Sequence, residues 1–159
     1  MGAEQRIKEL GIDLSIKPRP VANYVPAVRT GNLVFVSGHG PLKPDRTLMS
    51  GVVGRDLDEK QAYAAARMVG IAALASLKGE IGNLDRVRRI VKVLGMVNAV
   101  PGFTNHPEVI NGFSDLMTEV FGDRGKHARS AVGMGSLPRT IPVEVEMVVE
   151  VEPDQARPG

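Results

Sequence analysis

The segment from residue 143 to residue 151 alternates in polarity, and this pattern constrains the fold more than any other feature. Every odd position from Val143 to Val151 is valine or methionine, while Glu144, Glu146 and Glu150 stand at even positions between them. A period of two residues is typical of a β-strand that buries one face and directs the other away from the core. The chain is therefore expected to contain a sheet with one apolar face.

Other apolar runs bounded by turn residues predict five more strands, at 24–29, 33–37, near 50–53, at 87–97 and at 128–134. The run at 33–37 is apolar on both faces, so we expect it inside the sheet rather than at an edge. In the strand at 87–97 we expect Val87, Val91 and Val93 on one face. The opposite face would then carry the cations Arg86, Arg88 and Lys92.

Two helices are predicted between these strands. Asp58 followed by Gln61 is a capping-box pattern, and an alanine-rich stripe follows it at helical spacing as far as Gly79 or Gly82. The second helix begins at Asn105 and ends at Gly122. Its buried stripe comprises Val109, Phe113, Leu116 and Val120.

The predicted order β-β-β-α-β-α-β-β indicates an α+β fold, with a mixed sheet and two helices on one of its faces. We expect a single domain over residues 1–159, with a core at about 20–152, a short N-terminal helix at about 3–10 and a frayed tail at 153–159. Helices on one face leave the other face of the sheet without cover. We therefore expect a homo-oligomer.

Composition and motifs exclude several classes of function. The chain has no cysteine, which excludes disulfides, thiolate metal sites and cysteine nucleophiles. Neither a phosphate-binding loop nor a dinucleotide fingerprint is present, and the three histidines lack metal-ligand spacing, so we expect no cofactor and no metal. No apolar run is long enough to span a membrane, and the first residues contain no uninterrupted apolar segment that could serve as a signal peptide, so we expect a cytoplasmic location.

Nucleic acid is a disfavoured partner. The net charge is only +2 and aromatic residues make up 4% of the chain, so both phosphate contacts and base stacking would be sparse. The one basic cluster, formed by Arg86, Arg88, Arg89 and Lys92, is more simply explained as a solvated or interface strand face.

Three segments carry candidate site residues. Arg129 stands where a polar loop meets an apolar strand, a position suited to binding a carboxylate, although a surface ion pair with a glutamate is the simpler explanation. Glu144 opens the acidic face of the last strand, where a solvated stripe is the simpler explanation. Ser37 ends a buried strand just before Gly38 and His39, where a ligand can approach the backbone.

Together these segments resemble the RidA/YjgF family, whose older names refer to endoribonucleases. The resemblance rests on N-L-V-F-V-S-G at 32–38, R-S-A-V at 129–132, L-P at 137–138 and V-E-V-E at 143–146. It covers the chain from about Ala22 to Glu152.

The resemblance implies a chorismate-mutase-like fold and a homotrimer with active sites in clefts between subunits. It implies hydrolysis of 2-imino acids, the tautomers of reactive enamines, to 2-keto acids and ammonia. The family's carboxylate-binding arginine matches Arg129, its strand glutamate matches Glu144, and its S-G serine matches Ser37. Tyr24 is a looser counterpart of the family's early tyrosine.

Glu144 would then orient or deprotonate the attacking water. Ser37 or Tyr24 would hydrogen-bond the substrate or that water, and Gly38, His39 and Ala131 would border the substrate. This chain departs from the family pattern at His39, where an amide is common, and at Ala131, where cysteine is common.

Two other functions stay open. The first is a different hydrolytic activity in the cleft, including the ribonuclease activity of the older names, and the second is a trimer that binds a small carboxylate without chemistry. The presence of both Arg129 and Glu144 favours chemistry, because binding a carboxylate requires the arginine but no adjacent acid.

Overall fold

The computed structural model describes residues 1–19 and 22–153. Its main helices and strands are, in chain order, α1 (Ala3–Glu9), β1 (Ala27–Thr30), β2 (Leu33–His39), α2 (Glu59–Ile81), β3 (Val87–Asn98), α3 (His106–Phe121), β4 (Ala128–Met134) and β5 (Val143–Val151). The predicted short N-terminal helix is α1, whereas most of the predicted frayed tail lies outside the described residues. None of the described helices is long and apolar enough to cross a membrane.

The strands form one mixed sheet in the order β1-β2-β5-β3-β4. Strand β3 runs parallel to β4 and antiparallel to β5, while β2 runs antiparallel to both of its neighbours. The alternating segment, β5, therefore lies in the middle of the sheet. The prediction of an α+β fold with a mixed sheet is confirmed, as is the interior position of β2.

The predicted strand near 50–53 is wrong. Val53 forms only isolated bridges, to Leu57 and Ala99. The carbonyl oxygen of Val52 accepts from the N–H groups of residues 55–57, and the Val52 N–H donates to the Asp56 carboxylate at 2.8 Å. The Val52 backbone thus closes a local turn, and Val53 alone reaches the sheet, where its N–H donates to the Asn98 carbonyl at the end of β3 at 2.9 Å.

Two further strand predictions need correction. Strand β1 begins at Ala27 rather than Tyr24; Pro26 lacks the N–H that a sheet ladder requires. In β3, the register shifts twice against β5, between Val87 and Arg89 and between Ile90 and Lys92. Ile90 is consequently buried, in the place that the simple alternation assigned to Val91.

The start and end of α2 follow the predicted pattern. The Gln61 N–H donates to Asp58 Oδ1 at 2.7 Å, and the Asp58 N–H donates to Gln61 Oε1 at 2.9 Å, so the capping box is formed. Gly82, with φ of 80°, ends the helix in a conformation that favours glycine.

Helices α2 and α3 pack against each other and cover one face of the sheet. Their contact is close because Gly112 of α3 lies against the backbone carbonyl of Tyr63 in α2, with no room for a Cβ atom. Gly95 of β3 likewise lies against Ile110 of α3. Small residues at these points bring the helices close to each other and to the sheet.

The other face of the sheet, here called the open face, carries apolar side chains that are exposed in the isolated chain. They are Val28 of β1, Leu33 and Phe35 of β2, and Val132 and Met134 of β4, each between 36% and 51% exposed. These residues lie toward the two edges of the open face, on β1 and β2 and on β4. Exposed apolar side chains of this kind are typical of a surface that another protein molecule covers.

Replacing Gly112 with alanine should destabilise the fold, because the new methyl group overlaps the Tyr63 carbonyl and the helices must separate. We expect a loss of about 1–3 kcal/mol, as for overpacked cores, measured by urea denaturation. Gly79→Ala is the matched control, since the nearest atom to its Cβ is Lys17 Nζ at 3.9 Å. That change should stabilise α2 by about 0.5–1 kcal/mol, and equal effects of the two variants would contradict the packing described here.

Candidate functional site

A cleft of about 620 Å³ opens where β2 ends and β5 begins. Residues from five parts of the chain line it: Lys17, Pro18, Arg19, Tyr24, Pro26, Gly38, His39, Gly40, Leu42, Arg46, Leu48, Pro138, Arg139, Ile141 and Glu144. Its volume lies in the range of small-molecule sites, and its lining combines apolar side chains with a few charged groups. Four of the residues selected from the sequence therefore meet here: Tyr24, Gly38, His39 and Glu144.

Glu144 lies half-buried in this cleft against Gly38. The pairing of β2 with β5 is irregular between Val36 and His39, and Gly38 lies within this irregular stretch. A Cβ atom on Gly38 would overlap Glu144 Oε1, so no larger residue fits without moving the carboxylate. The irregular pairing and the glycine together give the glutamate its place.

The surroundings of Glu144 favour its neutral form. Partial burial raises the pKa of the Glu144 carboxyl, and the negative charge of Glu146 on the same strand raises it further. A carboxyl group with a raised pKa accepts and returns protons closer to neutral pH than an ordinary glutamate does. Glu144 is therefore suited to general acid–base chemistry.

His39 borders the cleft, but its imidazole is buried and directed toward α2. Its Nδ1 donates to the Ser37 carbonyl at 2.5 Å, so Nε2 accepts from the Ser76 hydroxyl at 2.7 Å. Burial lowers the pKa of His39. Because both ring nitrogens are hydrogen-bonded, the imidazole links the backbone of β2 at Ser37 to α2 at Ser76.

Ser37 faces away from this cleft, and its side chain lines a second concavity on the open face. The Ser37 hydroxyl donates to the Val25 carbonyl at 2.7 Å, and the Ser37 N–H donates to the Pro26 carbonyl at 2.9 Å. These bonds tie the segment that carries Tyr24 to β2. The structure therefore shows a structural contact for Ser37, while its catalytic role stays a prediction.

Arg129 lies at the start of edge strand β4 and its guanidinium is held by α3. Nη1 donates to Asn111 Oδ1 at 2.9 Å and to Ser114 Oγ at 3.1 Å, and Nη2 donates to the Pro107 carbonyl at 3.3 Å. These bonds use three of the five guanidinium donors, leaving two for a ligand. The guanidinium is thus oriented by α3 while two of its N–H donors stay available.

His127 completes the support of this arginine. Its Nδ1 donates to the Gly125 carbonyl at 2.6 Å, so its Nε2 accepts from the Ser114 hydroxyl at 2.9 Å. Ser114 then has its lone pairs free to accept from Arg129. Burial lowers the pKa of His127, and the charge of Arg129 adds to the effect.

Arg129 and Glu144 do not meet within one chain. Arg129 pairs with Val93 in β3, whereas Glu144 pairs with Met96, so they are three residues apart along the sheet. They also lie two strands apart, about 10 Å, and the bonds of Arg129 to α3 place it on the helix-covered face. Ala131, which follows Arg129 on the same face, packs against the core and does not line the cleft.

The cleft lining also contains four cations that sequence reasoning missed: Lys17, Arg19, Arg46 and Arg139. Arg46 and Arg139 lie in short turns between the predicted elements, where no periodic pattern marks a side chain as directed toward a site. Among the described residues there is no group of three or more histidine, aspartate or glutamate side chains that could hold a metal ion.

Comparison with known proteins matches this architecture to one family. Residues 4–150 match the family model described as "YjgF/chorismate_mutase-like, putative endoribonuclease". The chain is 40% identical to Protein TCP17 of Trypanosoma cruzi, over 91% of each chain. It is 30% identical to a 2-iminobutanoate/2-iminopropanoate deaminase of Dermatophagoides farinae, over 89% of this chain and 95% of the other.

A solved structure shows the same fold. The crystal structure of a protein of unknown function from Agrobacterium tumefaciens is 44% identical and superposes with a TM-score of 0.85, over 94% of this chain and 93% of that one. The chain therefore belongs to the YjgF/RidA family and has its chorismate-mutase-like fold.

Replacing Glu146 with glutamine should lower the pKa of Glu144, because it removes the neighbouring negative charge. Burial remains, so the pKa should stay above that of an ordinary glutamate. Carboxyl ¹³C NMR titration measures this shift directly. Glu150→Gln is the matched control, since Glu150 lies farther along β5 next to Arg88, and an unchanged Glu144 titration in the Glu146 variant would contradict the electrostatics.

Proposed function

We propose that this protein hydrolyses 2-imino acids to 2-keto acids and ammonia. The observation that carries the proposal is the half-buried carboxyl of Glu144, which lies against Gly38 in a cleft and whose pKa is raised by burial and by Glu146. The relative from Dermatophagoides farinae, which is 30% identical to this chain, is named a 2-iminobutanoate/2-iminopropanoate deaminase, and this name supports the proposal. The pre-oriented guanidinium of Arg129 supplies a partner for the substrate carboxylate.

The chemistry needs positioning and one proton carrier. A protonated 2-imino acid has an electrophilic carbon, so water attacks it as Glu144 removes a proton and the C=N electrons move to nitrogen. Glu144 then returns the proton to that nitrogen, and the C–N bond breaks as Glu144 takes the hydroxyl proton and the carbonyl forms. The proton passes from Glu144 to the released ammonia, which leaves as ammonium. General acid–base catalysis of this kind contributes about 10²–10⁴-fold.

Arg129 would fix the carboxylate of the substrate by a bidentate contact through its two remaining donors. Since Arg129 and Glu144 lie on opposite faces of one sheet, we propose that each site combines the Glu144 cleft of one subunit with Arg129 of a neighbour. The exposed apolar residues of the open face and the unpaired edge of β4 are the surfaces that such an assembly would cover. A homotrimer is the assembly we propose.

Carboxylate binding without chemistry is a weaker candidate, because it would not require the proton-accepting Glu144. A ribonuclease is weaker too. Arg88 of the basic cluster lies near Glu150 at 3.9 Å and Glu152 at 3.6 Å, and Arg86 donates to the Ile81 carbonyl at 3.1 Å. These cations are engaged within the chain.

Replacing Glu144 with glutamine should lower kcat for 2-iminobutanoate about 10²–10⁴-fold with little change in KM, because the proton carrier is lost. Arg129→Gln should act mainly on KM, because the substrate loses its carboxylate anchor. The imine is generated in place by an amino-acid oxidase and its disappearance is followed. Lys126→Gln is the control, an exposed cation near Arg129 that is paired with Asp123 at 2.7 Å.

Mixing the Glu144→Gln and Arg129→Gln variants tests where the sites lie, provided that the imine concentration is well below the wild-type KM, where a loss in either kcat or KM lowers the rate. If each site takes Glu144 from one subunit and Arg129 from its neighbour, unfolding and refolding an equal mixture restores about a quarter of wild-type activity, since random assembly forms intact sites at that frequency. Sites contained within one chain would stay inactive at every mixing ratio. Size-exclusion chromatography with light scattering confirms that the mixture reassembles.

A further inference from the structure

The outer part of the cleft carries more positive charge than hydrolysis of a small imino acid requires. Lys17, Arg19, Arg46 and Arg139 border it, and Glu144 is the acidic residue of the lining. Four cations against one carboxylate give the described lining a net charge of +3. The reaction proposed above uses Arg129 for the substrate carboxylate, so these cations have no assigned role.

Arg46 and Arg139 also have unusual backbone conformations. Their φ angles are 67° and 55°, and with Thr140 they are the non-glycine residues with positive φ in the described chain. Glycine or asparagine adopts this conformation at lower cost, and strained residues concentrate at functional sites. Two of three such residues are arginines that border the same cleft.

Hydrogen-bonded turns hold both arginines in place. The Arg46 N–H donates to the Lys43 carbonyl at 2.9 Å, which closes the hairpin between Leu42 and Leu48. The Thr140 N–H donates to the Leu137 carbonyl at 3.1 Å, closing the turn that contains Arg139. Each guanidinium therefore extends from a fixed turn rather than from a loose loop.

Neither arginine has an internal partner among the described residues. The structure shows no ion pair or side-chain hydrogen bond for Arg46 or Arg139 within residues 1–19 and 22–153, whereas Arg55 is paired with Asp56 at 2.9 Å. The two guanidinium groups are exposed and able to bind an anion from solution.

An apolar surface in the same cleft complements these arginines. A Cβ atom on Gly40 would lie 3.0 Å from Ile141 and 3.2 Å from Leu48, which shows that these side chains pack over the glycine. Leu42 extends the same surface. A ligand with a methylene chain would bury it here.

We propose that the cleft prefers 2-imino acids with a second carboxylate, carried on a short methylene chain and bound by Arg46 and Arg139. This inference rests on the proposed deaminase function and names the substrate class of that site. The methylene chain would lie on Leu48 and Ile141, with the imino carbon near Glu144. A six-carbon dicarboxylic imino acid is the test compound of this class.

The first test compares two imino acids of equal length, 2-iminoadipate and 2-iminohexanoate, by kcat/KM at low salt. We expect the wild type to prefer the dicarboxylic compound, with each exposed arginine contributing about two- to fivefold. The double variant Arg46→Asn, Arg139→Asn should lose this preference and retain turnover of 2-iminohexanoate. Asparagine tolerates positive φ, so the turns are kept.

Lys43→Gln is the matched control, because Lys43 belongs to the same hairpin and does not line the cleft. It removes the same charge as one arginine substitution but should leave the preference unchanged. Thermal unfolding establishes that each variant is folded. An equal loss in the control would mean that general charge attraction, rather than a site, causes the preference, and would overturn the proposal.

The second test is independent of catalysis. We expect calorimetry to show that the wild type binds the stable analogue 2-oxoadipate more tightly than 2-oxohexanoate. The double variant should bind the two oxo acids with equal affinity. This pattern without turnover of any imine would support the second-carboxylate site and contradict the deaminase function. Turnover of imines without any preference for dicarboxylates would support the deaminase function and contradict the second-carboxylate site.

A short single-stranded RNA is the competing probe. Salt-dependent RNA binding that the double variant loses, with no difference between the two oxo acids, would assign the arginines to nucleic acid and overturn the proposal. Folded variants that keep the wild-type preference for the dicarboxylate would overturn it as well.

Discussion

The antiparallel pairing of β2 with β5 is the interaction on which the candidate site depends. Its regular part buries the valine face of β5 beneath the helices, and its irregular part between Val36 and His39 opens the end of the sheet. There the glycine leaves space that the Glu144 carboxyl fills, while His39 turns inward to Ser76. The irregular pairing between Val36 and His39 thus places the Glu144 carboxyl, which we propose as the proton carrier, at the end of the buried core.

The site that we propose is divided between two surfaces of the fold. The cleft contains the Glu144 carboxyl, and α3 holds Arg129, the proposed carboxylate anchor, on the opposite face of the sheet. An assembly that covers the open face would bury its exposed apolar residues. In the arrangement that we propose, the same assembly would bring Arg129 of one subunit to Glu144 of another. Stability of the oligomer and completion of the site would then be the same event.

Sequence reasoning predicted what local patterns encode. The alternation of β5, the bounds of β4 and the capping box of Asp58 depend on residues close in the chain, and the structure confirms each of them. It failed where backbone geometry is set by partners far away, as in the register shifts of β3. Arg46 and Arg139 were missed for a different reason, since short turns with positive φ leave no periodic signal in the sequence.

The central claim is that the protein accelerates hydrolysis of a 2-imino acid, and the direct measurement is the lifetime of 2-iminobutanoate at increasing protein concentration. An amino-acid oxidase supplies the imine, and semicarbazide traps what survives. Hydrolysis by the protein predicts that the reciprocal of the trapped fraction rises linearly with protein concentration, with 2-ketobutanoate and ammonia formed in equal amounts. A trapped fraction that stays at the spontaneous value with folded, oligomeric protein would contradict it.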